Sequence, residues 1–482
     1  MSTFPRKARI SEAPPVPVHA RTDLRQPVTW LPPFASPERP DPVLRHFLHQ
    51  ASDLLCEWIG SAAERPPLPL VRPQPELIPG DQGCDVTALL NDLQIVMDGA
   101  FQPSHPGALA HLDPPPLTAS IAADLICAGL NNNLLAEELS PGLSSLERQL
   151  CRWFCQRLGL PEHAGGVLAT GGTLSNLMAL VTARSLQASG DGVVLCSRDA
   201  HVSLQKATRV MGLAGDALLQ LPVDREGRLC STSLERTLQD LHRHGRPCLA
   251  VVATAGTTIR GAIDPLAEIA TICHRHEVWL HVDAAIGGVF ALSEDWSPLF
   301  QGLEQADSIT LNPQKLLGIA KASSLLLVRD VRHLHQSFST GLPYMDATTG
   351  EPHGGELGLQ GTRPAEVLKL WLGLRQLGEE GIAMVLRSAL DRRDHVRRQL
   401  DLNRLTVLDG SLHLLSMHPR GAEADDCAAW SQTTRQSLLG QGFMLSRPRY
   451  GERYCLKAVF GNPHTGTEHL DRLAELINAS LF

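Results

Sequence analysis

Between Val43 and Ile59 the apolar residues Phe47, Leu48, Ala51, Leu54, Leu55 and Trp58 recur at helical spacing, and Gly60 closes the pattern. The stretch "RPPLPLVRPQPELIPG" from Arg65 reads as an extended linker, and a second helix is predicted around residues 85–98. Further along, helix-length segments alternate with the short apolar runs "GGVLAT", "GVVLCS", "ALLQLPV", "CLAVVAT", "VWLHVDAA", "DSITLN" and "SSLLLVR". That alternation predicts βαβ units and an α/β fold with a mostly parallel sheet. A long helical pattern ("AEVLKLWLGLRQLGEEG") leads out, followed by short strands mixed with helices, the signature of a small α+β domain. The expected organisation is a Pro-rich, disordered arm over 1–42, a helical dimerisation segment over 43–110, a large domain over 111–370 and a small C-terminal domain over 371–482. The first two helices have apolar faces and no domain of their own, so a second subunit is expected to cover them.

With 482 residues and 43% hydrophobic content the chain can bury a large core. A net charge of −8 without a basic stripe argues against nucleic acid and anionic membrane, leaving small molecules and copies of itself as partners. None of the eleven cysteines forms a CxxC pair, and Cys151 with Cys155 lacks a matching second pair, so no metal site is expected. Scattered thiols in a long chain without an apolar leader or span fit a cytoplasmic protein.

In an open α/β sheet, ligands bind beyond the C-terminal ends of the strands, and the informative polar residues fall there. After "GGVLAT", Gly172 and Thr173 open a helix whose N-terminus suits a phosphate. "VWLHVDAAIGG" delivers Asp283 and the small Ala285, "CLAVVAT" leads to Thr258, and "GVVLCS" leads to His201. "DSITLNPQKLLG" supplies Asn312 and Lys315, the lysine in an apolar setting that lowers an amine's pKa and makes it nucleophilic. Each feature alone has an ordinary reading: a tight turn, a helix cap, a surface lysine, a helix-start histidine. Together they match pyridoxal phosphate (PLP). A carboxylate keeps its ring nitrogen protonated, an amine anchors it, small and flat groups cover its faces, and donors hold its phosphate.

These segments, with "HPGALAHL", "DAHVSLQKATRVMGL", "TAGTTIRGAIDPLAEIA" and "LKAVFGNPHT", resemble the group II PLP-dependent amino acid decarboxylases, which act on glutamate, aromatic amino acids, cysteine sulfinate or 2,4-diaminobutyrate. The resemblance covers roughly residues 85–482 and implies the aspartate-aminotransferase-like architecture, fold type I of the PLP-dependent transferases, as a homodimer. It implies that Lys315 forms the Schiff base, Asp283 pairs with the pyridine nitrogen, His201 stacks on the ring, and Thr173 and Asn312 hold the phosphate.

Three departures from the family pattern matter. Gln314 stands where a histidine usually precedes the lysine. Lys457 stands where glutamate decarboxylases carry a carboxylate-binding arginine, and lacks its bidentate fork. Tyr344, on the Gly/Pro-rich loop "FSTGLPYMDATTGEPHGG", is the candidate proton donor to Cα, at a spacing to Gly361 longer than the family's. His111 in "HPGALAHL" looks closer to the diaminobutyrate branch, and it and Lys457 are the candidate substrate contacts. The expected reaction is decarboxylation of an L-amino acid to amine and CO2. The alternatives are oxidative decarboxylation-deamination to an aldehyde, and a catalytically silent scaffold with the same fold.

Overall fold

The computed structural model describes residues 31–187, 192–342 and 352–481. They fall into two compact units, one holding the described residues up to Ser61 with Pro69–Ala100, the other Ala62–Leu68 with Phe101 onward. In the first unit, helix α1 (Pro42–Gly60) starts at Asp41, whose carboxylate accepts the N–H groups of Val43 and Leu44, with Pro42 in the first turn. Helix α2 (Val86–Asp98) packs beside it, and the Trp58 indole N–H reaches the Met97 carbonyl at 2.9 Å.

The second unit is built on a seven-stranded sheet. All seven predicted apolar runs form its strands: β1 (Gly165–Ala169), β2 (Val193–Ser197), β3 (Leu218–Leu221), β4 (Cys248–Thr254), β5 (Trp279–Ala284), β6 (Ser308–Leu311) and β7 (Ser324–Val328). Their order is β1-β7-β6-β5-β4-β2-β3, with β7 antiparallel to both neighbours and every other pairing parallel. Strands β1, β2 and β7 are buried along their whole length, as expected of a sheet covered on both faces. The covering helices include α3 (Thr118–Leu130), α4 (Pro141–Arg157), α5 (Gly172–Ser185), α6 (Ser203–Val210), α7 (Ser231–Arg243) and α8 (Leu266–Arg275). The link from β5 to β6 is different. It runs through short 3-10 turns instead of an α-helix. Gly287 lies against the Ala255 carbonyl, where an added Cβ would come within 2.3 Å.

After α9 (Gln314–Leu317) and α10 (Arg332–Phe338), the long helix α11 (Val367–Gln399) leads out as the pattern predicts. It is broken at Gly378, whose φ of 62° interrupts the helical path inside "LGEEG". The C-terminal part adds β8 (Leu405–Asp409), β9 (Leu414–Pro419), α12 (Ala424–Gly440), the hairpin β10 (Arg449–Tyr450) and β11 (Arg453–Tyr454), β12 (Leu456–Val459) and α13 (Thr467–Ala479). Its three-stranded antiparallel sheet has the order β12-β9-β8 and carries its own apolar cluster, including Leu415, Met417, Leu456 and Phe460.

A bidentate pair fixes one edge of the large sheet. Arg363 donates to both carboxylate oxygens of Glu147 at 2.9 and 2.8 Å, and the Leu168 N–H donates to the same carboxylate at 2.8 Å. Both side chains are buried, so each carries the other's desolvation. Among the described residues, no helix is long and apolar enough to cross a membrane.

Candidate active site

The parallel strands bring their C-terminal ends to one edge, and β1 ends on the same edge because it and β6 both run against β7. A cavity of about 170 Å³ opens there, lined by Gly172, Thr173, Asn176, His201, Thr254, Gly256, Thr258, Asp283, Ala285, Ile286, Asn312 and Lys315. Every residue predicted from the strand ends as a cofactor contact lies in this one lining.

Local geometry explains each position. Gly171, at φ 145°, makes the turn from β1 into α5 in a region closed to other residues. An added Cβ on Gly172 would stand 3.0 Å from Asn312 Nδ2, so the glycine keeps the helix N-terminus open beside that amide. Asp283 closes β5 and pairs in register with Thr310 of the neighbouring β6, whose chain continues to Asn312 and Lys315. Lys315 is the second residue of α9, and burial pulls its amine below the ordinary lysine range, opposed by the nearby Asp283 carboxylate. His201 follows β2, and its Nδ1 accepts the Ser203 N–H at 3.2 Å. The ring therefore makes the local helix-start contact and also faces the cavity. Burial lowers its pKa, with Asp283 and Lys315 pulling in opposite directions.

Two predicted residues lie apart from this lining. Lys457 is buried on β12, as is Val459, and Cys455 just before the strand is buried too. Its Nζ lies 3.3 Å from the Thr258 carbonyl, and burial pushes its amine down to about 8, helped by Lys315. His111 lines a second cavity of about 510 Å³ with Phe101, Asp113, Asp124, Gln314 and Lys321. Gln314 is turned toward that side: its Oε1 accepts the Ser323 N–H at 2.6 Å and its Nε2 lies 3.5 Å from Asp113 Oδ1. Tyr344 lies outside the described residues.

Four lining residues were not anticipated: Asn176, Thr254, Gly256 and Ile286. Asn176 is the most telling, because its amide donates to Asp283 Oδ2 at 2.8 Å. The available signal was a polar residue inside the apolar helix "GGTLSNLMAL".

The lining fits PLP on its own geometry. Asp283 is only 6% exposed, yet among the described residues no cationic side chain pairs with it, so its charge calls for a positive group in the cavity. A protonated pyridine nitrogen is such a group. Thr254 Oγ1 and Asn312 Oδ1 are buried and have no hydrogen-bond partner among the described residues. The sequence model of the pyridoxal-dependent decarboxylase conserved domain matches residues 72–402. The chain belongs to the pyridoxal-dependent decarboxylase family.

Among curated relatives, this decarboxylase is 30% identical to an L-2,4-diaminobutyrate decarboxylase of Rhizobium meliloti (strain 1021), over 90% of this chain and 91% of that protein. It is 28% identical to an aromatic-L-amino-acid decarboxylase of Bacillus atrophaeus, over 91% and 93%. Its fold is that of the Oryza sativa TDC crystal structure with PLP and tryptamine, at a TM-score of 0.86 and 24% identity, over 93% of this chain and 99% of that one. The expected architecture, cofactor and reaction class agree with these findings: the chain is a PLP-dependent carboxy-lyase that converts an amino acid to the amine and CO2.

Proposed function

We propose that this decarboxylase acts on a non-aromatic L-amino acid, with 2,4-diaminobutyrate the first candidate, as a cytoplasmic homodimer. The reading rests on one juxtaposition: the partly buried amine of Lys315 and the unpaired carboxylate of Asp283 line the same cavity at neighbouring strand ends. The resemblance to a Rhizobium meliloti L-2,4-diaminobutyrate decarboxylase supports the substrate. Apolar faces on α1 and α2, with Leu93 and Val96 exposed, support a second subunit as their cover.

When bound, the cofactor supplies a ring that takes up the electron pair of the bond broken at Cα, provided its nitrogen stays protonated. The chain's own groups do the rest. Asp283 would hold the proton at the ring nitrogen, with Ala285 and His201 against the two faces. Gly172, Thr173 and Asn312 would hold the phosphate, and Thr258 would face the ring hydroxyl. Lys315 Nζ would anchor the cofactor. Lys457 binds the substrate carboxylate, and Tyr344 returns a proton to Cα. Orientation and electrostatics are the protein's share of the rate.

The test is CO2 release from all twenty amino acids, cysteine sulfinate and 2,4-diaminobutyrate, with a peroxide assay in parallel. CO2 from diaminobutyrate without peroxide is the expected result. Release confined to an aromatic amino acid overturns the substrate, and peroxide in step with CO2 makes the reaction oxidative.

Lys457 gives a second expectation. A group at about 8 loses its proton as the pH rises through that value, and the uncharged amine no longer neutralises a carboxylate. KM is therefore expected to climb above about pH 8, with kcat changing less. Lys457→Arg, whose guanidinium keeps its proton, should flatten that climb. Identical KM profiles for the two proteins remove Lys457 from substrate binding.

A further inference from the structure

Along β5, Trp279, His281 and Asp283 alternate and so share one face of the sheet, the face on which Asn176 of α5 lies. The other set, Leu280, Val282 and Ala284, joins the main apolar core. A polar stripe inside a fully covered sheet is costly unless every group is satisfied, and here the partners connect end to end. The Trp279 indole N–H donates to Ser308 Oγ at 2.9 Å. Ser308 Oγ lies 2.9 Å from His281 Nδ1, and His281 Nε2 lies 3.0 Å from Asn176 Oδ1. Asn176 Nδ2 donates to Asp283 Oδ2 at 2.8 Å and to Ser203 Oγ at 2.9 Å. Asn176, His281 and Ser308 are at most 1% exposed.

Donor chemistry fixes the direction of the whole chain. An ionised carboxylate only accepts, so Asn176 must present its NH2 to Asp283 and its oxygen to His281. An amide oxygen only accepts, so His281 carries its proton on Nε2. Burial holds that imidazole below its ordinary range against the pull of Asp283, so it is neutral and Nδ1 is an acceptor. Ser308 must then donate to Nδ1 while accepting from Trp279. From Trp279 to Asn176 the linking hydrogens all point toward Asp283, the second Asn176 hydrogen going to Ser203. Aligned hydrogen bonds polarise one another, and this alignment presents a positive end to the carboxylate.

We propose that Trp279, Ser308, His281 and Asn176 form a one-way hydrogen-bond chain that fixes and orients the Asp283 carboxylate, which makes His281 and Ser308 positioning residues for the cofactor ring. The proposal rests on the assignment of Asp283 to the ring nitrogen. Ser308 sets the histidine tautomer: without its proton, Nδ1 has no donor and His281 no longer has to present Nε2–H to Asn176. Through Ser203, whose N–H meets His201 Nδ1, the same amide also steadies the residue on the ring face.

The experiment is solid-state 15N NMR of holoenzyme reconstituted with PLP labelled at the ring nitrogen, alongside cofactor affinity. Ser308→Ala should move the resonance from the protonated toward the unprotonated position and weaken PLP binding about fivefold, the size of one lost buried hydrogen bond. Trp279→Phe, which removes only the first donor, should move it the same way by less, and it carries the test if Ser308→Ala does not fold. Asp283→Asn should move it furthest. A shift in Asp283→Asn with none in Ser308→Ala or Trp279→Phe overturns the chain and leaves Asp283 in its role. No shift in any of the three overturns both.

Discussion

Lys315→Ala is expected to fold normally and to lose the visible absorption that a lysine-linked PLP gives. Turnover should fall by at least on the order of a thousandfold, since the anchoring nucleophile is lost. The expectation follows from position: Lys315 lines the cavity and its amine is depressed by burial, the state in which an amine attacks a carbonyl. Absorbance titration with PLP and CO2 release measure the two effects, and an unchanged spectrum in the variant removes Lys315 from the role of anchor.

Asp283→Ala is the second large effect. PLP should still bind, held at the phosphate end by the α5 N-terminus and Asn312, but turnover should drop about a hundredfold to a thousandfold, the usual loss for one preorganised charge-stabilising group. The substitution also strands donors. Asn176 Nδ2 would keep only Ser203, and the Ala285 N–H would lose its 3.2 Å contact to Asp283 Oδ1. A near-wild-type kcat in a PLP-saturated variant would mean that ring protonation does not depend on this carboxylate.

Much of this arrangement was legible before any coordinates. Apolar runs of six to eight residues separated by helix-length segments specify a covered, mostly parallel sheet, and the residues at the end of each run are then placed by topology alone. That is why Asp283, Asn312, Lys315, His201 and Thr258, scattered over more than a hundred positions, could be assigned to one lining. Roles that depend on side-chain direction were harder. Gln314 and Lys315 are neighbours in sequence, but successive residues on a helix turn by about 100°, so the lysine enters the cavity while the glutamine faces Asp113. Asn176 and His281 were passed over because each sits in a segment dominated by apolar neighbours. The clue was the period-two spacing of Trp279, His281 and Asp283, which puts a histidine on the same face as the aspartate. The helix break at Gly378 likewise reads as continuous periodicity and shows only in the backbone angles.

The nearness of two amines, Lys315 and Lys457, bears on how a catalytic cycle finishes. Lys315 lowers the proton affinity of Lys457, and in the role proposed for Lys457 the carboxylate of an incoming amino acid relieves that positive potential. Once CO2 has departed, what is left is a cation with no anionic end to offer. With Lys457 in that proposed role, the feature that welcomes the reactant repels the product, and accumulated amine is expected to be a poor competitor for re-entry.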